Sequence, residues 1–242
     1  MLPYIKAERL KWNRTFIPKL AWIGPVVTLL LCFFLMGGRY FQGGAYNWWY
    51  TMLLPGALTL TCSLAVQKDA KMKYRGLLAL PVDPKILWAG KIAACAEWLL
   101  AVTFIFLVGI TSGGMLFGNT IPLLNSIAGS FLIFVTFLWQ IPLCLFLAAS
   151  CGLFATTLLN MAGNIAGVVV FGAGGIWSIV PYTITFRLMC PVLYILPNGL
   201  PVPADSPLRD TKMILPGVLI SLAWFGVLSV LTALWFRKRG AR

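Results

Sequence analysis

The sequence predicts an all-α membrane protein with six transmembrane helices and an N-terminal helix at the membrane surface. Three observations carry this reading. Sixty per cent of the 242 residues are hydrophobic and only 10% are charged, too apolar a balance for a soluble domain of this length. Long apolar runs recur along the chain without the alternating pattern of a β-barrel. The cations also flank these runs. Lys6, Arg9, Lys11, Arg14 and Lys19 precede the first. Lys68, Lys71, Lys73, Arg75, Lys85 and Lys91 surround a segment after the second, and Arg237, Lys238, Arg239 and Arg242 follow the last. A net charge of +13 suits nucleic acid in other settings. Distributed this way it follows the positive-inside rule, and no nucleic-acid partner is expected.

Residues 1–19 come first. Leu2, Ile5, Trp12 and Phe16 fall on one side at helical spacing, with Lys6, Lys11 and Arg14 off that side. This is the pattern of an interfacial helix that meets anionic head groups. Arg9 breaks the apolar side and has to snorkel. The same cations also read simply as a topology determinant. The first apolar run follows them with no small-residue cleavage motif, so no cleavable signal is expected.

The transmembrane domain is residues 20–236, with spans at 20–36, 49–66, 87–110, 127–154, 163–180 and 214–236. Most reach the ~20 residues that cross a ~30 Å hydrocarbon core. The first two are marginal and need interfacial anchors or local thinning. Lipid offers backbone groups no partners, so the spans are helices. Both ends are basic, which places both termini in the cytoplasm and requires an even number of spans. Six spans put fifteen of the 19 cations inside and leave Arg39, Arg187, Arg209 and Lys212 outside. Residues 237–242 form a basic cytoplasmic tail. The stretch 121–159 is too long for one helix and too short for two. It reads as one helix bent near Gln140-Ile141-Pro142, because proline removes a backbone bond, followed by a turn through 160–163. A pair of half-helices is the other reading.

Two connections stand out. Segment 67–85 holds a short cationic helix ending by Pro81, with Leu77, Leu78 and Leu80 at its apolar end. Asp83-Pro84 then supplies an N-cap and a first-turn proline for the next helix. Such an element suits a groove on a soluble partner; a surface turn that meets lipid phosphate is the alternative. Residues 182–212 are too long for an ordinary connection and carry Pro191, Pro197, Pro201, Pro203 and Pro207. The apolar stretch 187–196 is too short to span and is expected to dip in or re-enter against protein.

The intramembrane polar residues are Glu97, Gln140, Asn160 and Asn164. Glu97 is the one carboxyl in a predicted span, a functional hypothesis by default, with a neutral, hydrogen-bonded structural acid as the alternative. No Lys or Arg is aligned with it. Asn160 and Asn164 lie one turn apart and are placed to bond across helices. Gly163 and Gly167 form a close-packing motif that Gly172, Gly174 and Gly175 extend toward a possible hinge. Gln140 reads as a packing or kink residue. Tyr40, Phe41, Tyr46, Trp48, Trp49 and Tyr50 form either an aromatic belt or a surface for an amphipathic substrate.

Enzymatic chemistry has little to work with. There is no histidine, the commonest general base and metal ligand. The six cysteines lack metal spacing and read as small packing residues. Gly90-Lys91 is followed by Ile92, so no phosphate loop is formed. No enzyme activity, metal or cofactor is expected, and any ATP hydrolysis belongs to another polypeptide.

The start Tyr4-Ile-Lys-Ala-Glu-Arg-Leu-Lys-Trp-Asn-Arg-Thr-Phe16 resembles the permease subunits of lantibiotic self-immunity ABC transporters of the MutE/EpiE type. So do Tyr46-Asn-Trp-Trp-Tyr50 with Leu54-Pro55, and Lys68-Asp-Ala-Lys-Met-Lys-Tyr-Arg75 followed by Leu80-Pro81. The likeness covers most of the first 90 residues well and the rest mainly by hydropathy. It implies an ABC-2-type half-transporter in the bacterial cytoplasmic membrane. An E-type and a G-type permease would join two copies of an ABC ATPase, which binds the ATP, and expel cationic lantibiotic peptides. The family's coupling helix maps onto 69–80, with Asp69, Lys71, Lys73, Tyr74, Arg75, Leu77, Leu78 and Leu80 as the contact residues. Its amphipathic helix maps onto 1–19, where membrane lipids are the partner. An ABC-2 permease for another antibiotic or a lipid-linked molecule is the alternative reading. An intramembrane hydrolase would need paired acids or a nucleophile with a base, and Glu97 alone supplies neither.

Overall fold

The computed structural model describes residues 1–36, 38–71, 74, 82–171 and 179–240. Among them nine α-helices run in chain order: α1 (Leu2–Trp12), α2 (Ile17–Leu35), α3 (Phe41–Trp48), α4 (Leu54–Lys71), α5 (Pro84–Phe117), α6 (Leu123–Phe137), α7 (Gln140–Val170), α8 (Pro181–Leu193) and α9 (Ile214–Gly240). Five described stretches are long and apolar enough to cross a membrane: Ile17–Leu35, Phe41–Lys71, Pro84–Phe117, Leu123–Val170 and Thr211–Lys238. The chain is an all-α membrane protein.

Local chemistry sets several boundaries. Asp83 Oδ1 accepts the Lys85 N–H at 2.9 Å, and Pro84 opens α5, as the Asp-Pro pair leads one to expect. Glycine at 118 ends α5 with φ 100°. The second span begins earlier than position 49. α3, a π-helical turn at Trp49–Leu53 and α4 form one rod from Phe41 to Lys71. Pro55 explains the wide turn. It has no N–H for the Thr51 carbonyl and its ring crowds that oxygen, so the turn ahead of it opens, with Leu54 N bonded back to Trp49 O.

The long stretch 123–170 breaks twice. α6 stops at Phe137, and α7 restarts at Gln140 with Pro142 in its first turn, which agrees with a bend near 140–142. The second break corrects the expected turn at 160–163, which is helical. Gly152 carries φ 84° and ψ 176°. A straight helix would set residues 140 and 160 about 30 Å apart, yet Asn160 Nδ2 lies 3.1 Å from Gln140 Oε1. The chain therefore doubles back at Gly152, and 153–170 packs beside 140–151. Of the fifth helix expected over 163–180, residues 163–170 are helical and 172–178 lie outside the described residues. Regular helix ends at Val170, Val180 is extended, and Pro181 opens α8. Gly172, Gly174 and Gly175 lie outside the described residues.

α8 fills the space between α6, the returning arm of α7, and α9. Thr185 Oγ1 donates to Thr136 Oγ1 at 3.0 Å, and Asn125 Nδ2 donates to the Val192 carbonyl at 2.7 Å. The stretch expected to dip in is thus largely a buried helix, followed by an extended hairpin with a bridge between Ile195 and Pro201. Its backbone is satisfied by helix and by neighbours, as an apolar setting demands.

The aromatic group at 40–50 is not a belt. Phe41, Tyr46, Trp49 and Tyr50 are buried, and only Tyr40 is well exposed. Trp49 stacks on Phe106 with centroids 4.8 Å apart, and Tyr46 meets the same ring edge-on. The cause is the early start of the rod, which turns these rings toward α5 instead of leaving them at a helix end.

Candidate functional site

Three elements meet at Lys91. Its Nζ donates to Glu8 Oε2 of α1 at 2.7 Å, to Asp69 Oδ2 of α4 at 2.7 Å and to the Ala65 carbonyl at 3.0 Å. The side chain is 0% exposed. Lys11 closes the group, 2.6 Å from Glu8 Oε1 and 3.6 Å from Asp69 Oδ1. Two ammonium groups and two carboxylates thus alternate with no net charge. All three ammonium hydrogens of Lys91 have an acceptor. A buried charge is tolerated on those terms and costs heavily without them.

The local sequence explains the meeting. Tyr4, Glu8 and Trp12 recur every fourth residue and share one helical face, and that face lies on α5. At Gly90 an added Cβ would sit 2.9 Å from Tyr4 Cβ, so glycine there permits the approach. The residues of the expected apolar side of α1 divide between this packing face and the open surface. Trp12 is buried, but Leu2 and Phe16 are exposed, and Glu8 is the buried polar residue of the helix. The helix also stops at Trp12, and α2 begins at Ile17, which shortens the interfacial element of 1–19.

Asp69 also stands where segment 67–85 leaves the bundle. Five residues on, Tyr74 returns its N–H to the Asp69 carbonyl at 2.7 Å and adopts φ 58°. Its buried ring meets Phe236 edge-on at 5.4 Å, and Phe236 stacks on Trp88 at 4.7 Å. Trp88 Nε1 donates to Thr232 Oγ1 at 3.0 Å. The start of the segment is therefore held by charge on one side and by an aromatic stack on the other. Lys71 is exposed. Lys73, Arg75, Leu77, Leu78 and Leu80 lie outside the described residues.

Of the polar residues expected inside the membrane, Gln140, Asn160 and Asn164 are brought together. Asn160 Nδ2 donates to Thr59 Oγ1 at 2.8 Å and to Gln140, and its Oδ1 accepts from the Tyr182 hydroxyl at 3.0 Å. Asn164 Nδ2 bonds back to the Asn160 carbonyl at 2.8 Å. Glycines 163 and 167 lie under Tyr182 and Phe186, the close packing their spacing implies. Glu97 stands apart. It is half exposed, and its Oε2 faces Arg9 Nη1 at 3.8 Å, so it is neither enclosed in the bundle nor without a cation. The partner comes from α1, which folds back along α5, and helical register within α5 could not indicate it.

Sequence reasoning also missed the Glu8–Lys91–Asp69 cluster. The available signal was the Tyr4–Glu8–Trp12 spacing, which puts an acid in the middle of a packing face.

No protein-family profile, curated protein or solved structure matches this chain. Fold and site define a helical membrane protein with an internally neutralised charge cluster. Every charge in that cluster is matched, which suits a mechanical tie between helices better than proton or group transfer.

Proposed function

We propose that this chain is the permease subunit of an ABC exporter that removes cationic lantibiotic peptides from the bacterial cytoplasmic membrane. One observation carries the reading. Segment 67–85 is gripped where it leaves α4, by Lys91 at Asp69, with Glu8 bonded to the same ammonium, and by Phe236 at Tyr74. Its far end is the capped start of α5. A push on this segment reaches α1, α5 and α9 together, as coupling to a separate motor requires. The resemblance over the first 90 residues supplies the peptide substrate, the two ATPase copies and the sibling G-type permease.

Six crossings fit this reading. The stretch Leu123–Val170 has 48 residues and doubles back at Gly152, so it supplies two of them. With four other spans the count is even, and both basic termini lie in the cytoplasm.

The test is survival under peptide challenge. Cells with this chain, its sibling permease and the ATPase should tolerate higher lantibiotic doses and hold less peptide at the membrane. An ATPase with a dead phosphate loop should erase the effect. Changing Leu77 and Leu78 to Glu should leave insertion intact and abolish ATPase pull-down. Unchanged sensitivity with the assembled complex would move the assignment to an ABC-2 permease for another antibiotic or a lipid-linked substrate.

A further inference from the structure

Arg9 and Glu97 stand where two cavities adjoin. One, of about 750 Å³, has apolar walls from Leu2, Ile5 and Leu10 and a second cation in Lys6. The other, of about 460 Å³, is walled by Trp12, Ile17 and Trp98. Both include Arg9, Asn13 and Glu97. Volumes of this order hold a small amphipathic molecule.

The two charges are under-used. Their 3.8 Å separation exceeds hydrogen-bond length, and the side chains are 69% and 45% exposed. Neither makes a hydrogen bond to the protein among the described residues. A guanidinium offers five donors and a carboxylate about four acceptor sites, so most of this capacity is free. The ligand that answers it carries an anion and a hydrogen-bonding cation side by side, with apolar chains for the flanking walls. We infer that Arg9 and Glu97 form a headgroup site for an ethanolamine phospholipid. Arg9, backed by Lys6, takes the phosphate. Glu97 takes the primary ammonium, and the acyl chains lie along Leu2, Ile5 and Leu10. A choline headgroup has no N–H for Glu97, and a glycerol headgroup has no cation at all. The acid among the cations therefore gives the site a preference that a plain basic surface lacks. The inference rests on the membrane setting of the chain and not on transport.

The experiment uses the purified full chain in detergent. Native mass spectrometry follows its titration with phosphatidylethanolamine, phosphatidylcholine and phosphatidylglycerol of matched acyl chains. A charge-assisted hydrogen bond corresponds to about a tenfold preference for phosphatidylethanolamine over phosphatidylcholine. Glu97→Gln should bring phosphatidylethanolamine down toward phosphatidylcholine without weakening phosphatidylglycerol. Arg9→Gln should weaken all three. Both side chains are exposed, so the variants should elute and melt like the parent. Equal binding of the ethanolamine and choline lipids, strongest binding of phosphatidylglycerol, or an intact preference in Glu97→Gln would each overturn the assignment. The readout involves neither ATPase nor peptide, so a failure of the transport reading leaves it standing.

Discussion

Lys91 Nζ and Asp69 Oδ2 stand 2.7 Å apart and join the first turns of α5 to the last turn of α4. Asp69 is poorly placed on helical grounds, since the carbonyl end of a helix disfavours an acid. Lys91 is equally ill-placed alone, fully enclosed in an apolar setting. Each resolves the other's problem, and Glu8 brings α1 into the same arrangement.

Removing Lys91 should therefore be costly. Lys91→Met leaves Glu8 and Asp69 with only the partly exposed Lys11, and breaking a buried pair in this way costs about 3–5 kcal/mol. Combining Lys91→Met with Glu8→Gln and Asp69→Asn should recover most of the loss, because the one charge that remains in the cluster, Lys11, is partly exposed and can be solvated. Thermal melting of the purified variants checks both. A single variant that melts like the parent would show that the cluster is not closed to water.

The two glycines under Tyr182 should differ. A Cβ at Gly163 would lie 2.4 Å from the tip of the Tyr182 ring, a side chain that can yield by giving up its hydroxyl bond to Asn160. A Cβ at Gly167 would lie 2.9 Å from the Tyr182 backbone carbonyl carbon, which can shift only if α8 moves. Gly167→Ala is expected to destabilise by about 1–3 kcal/mol through overpacking, and Gly163→Ala by clearly less. Melting temperatures in one detergent give the order, and the reverse order would contradict the packing of α8 on α7.

Much of this architecture was legible in the sequence because hydropathy and charge dominate a membrane chain. The Asp83-Pro84 helix start, the bend before Pro142 and the packing role of Gly163 and Gly167 all follow from local chemistry. What was not legible depends on contacts between distant residues. Gly152 sits in a long, mostly apolar run, and the reversal shows only in its backbone angles and in the Asn160–Gln140 bond across it. Glu97 gains Arg9 because α1 folds back along α5. Trp49 and Tyr50 mimic an interfacial belt in composition, but a rod that begins at Phe41 carries them into the core. The charge cluster was the hardest to foresee, because it joins residues from three helices.

Gly152 is where one residue decides a topology. Its φ of 84° and ψ of 176° fall in a region essentially confined to glycine, where other residues pay about 1–3 kcal/mol. Gly152→Ala should lower the melting temperature and loosen the 153–170 arm, seen as faster amide exchange around Asn160. Gly226→Ala is the control. A Cβ there meets nothing within 4 Å and α9 continues through it, so stability should hold or rise slightly. Equal tolerance at both positions would mean that the reversal does not depend on the glycine conformation.

Under the proposed six crossings, the reversal at Gly152 faces the cytoplasm, and native cysteines make this measurable. Cys32, Cys62, Cys95, Cys144 and Cys190 are buried, and Cys151, next to the reversal, is exposed. Intact cells expressing the parent should leave Cys151 unlabelled by an impermeant maleimide and label it after permeabilisation. In a Cys151→Ser background, Asn119→Cys and Asp205→Cys should react from outside, whereas Asp83→Cys and Lys238→Cys should react only from inside. The decisive position is Lys238. If 123–170 crossed once instead of twice, the count would be odd and the basic C-terminus would lie outside. Labelling of Lys238→Cys in intact cells, with Asp83→Cys still protected, would replace six crossings by five and remove the shared cytoplasmic side on which the coupling segment and both termini are placed.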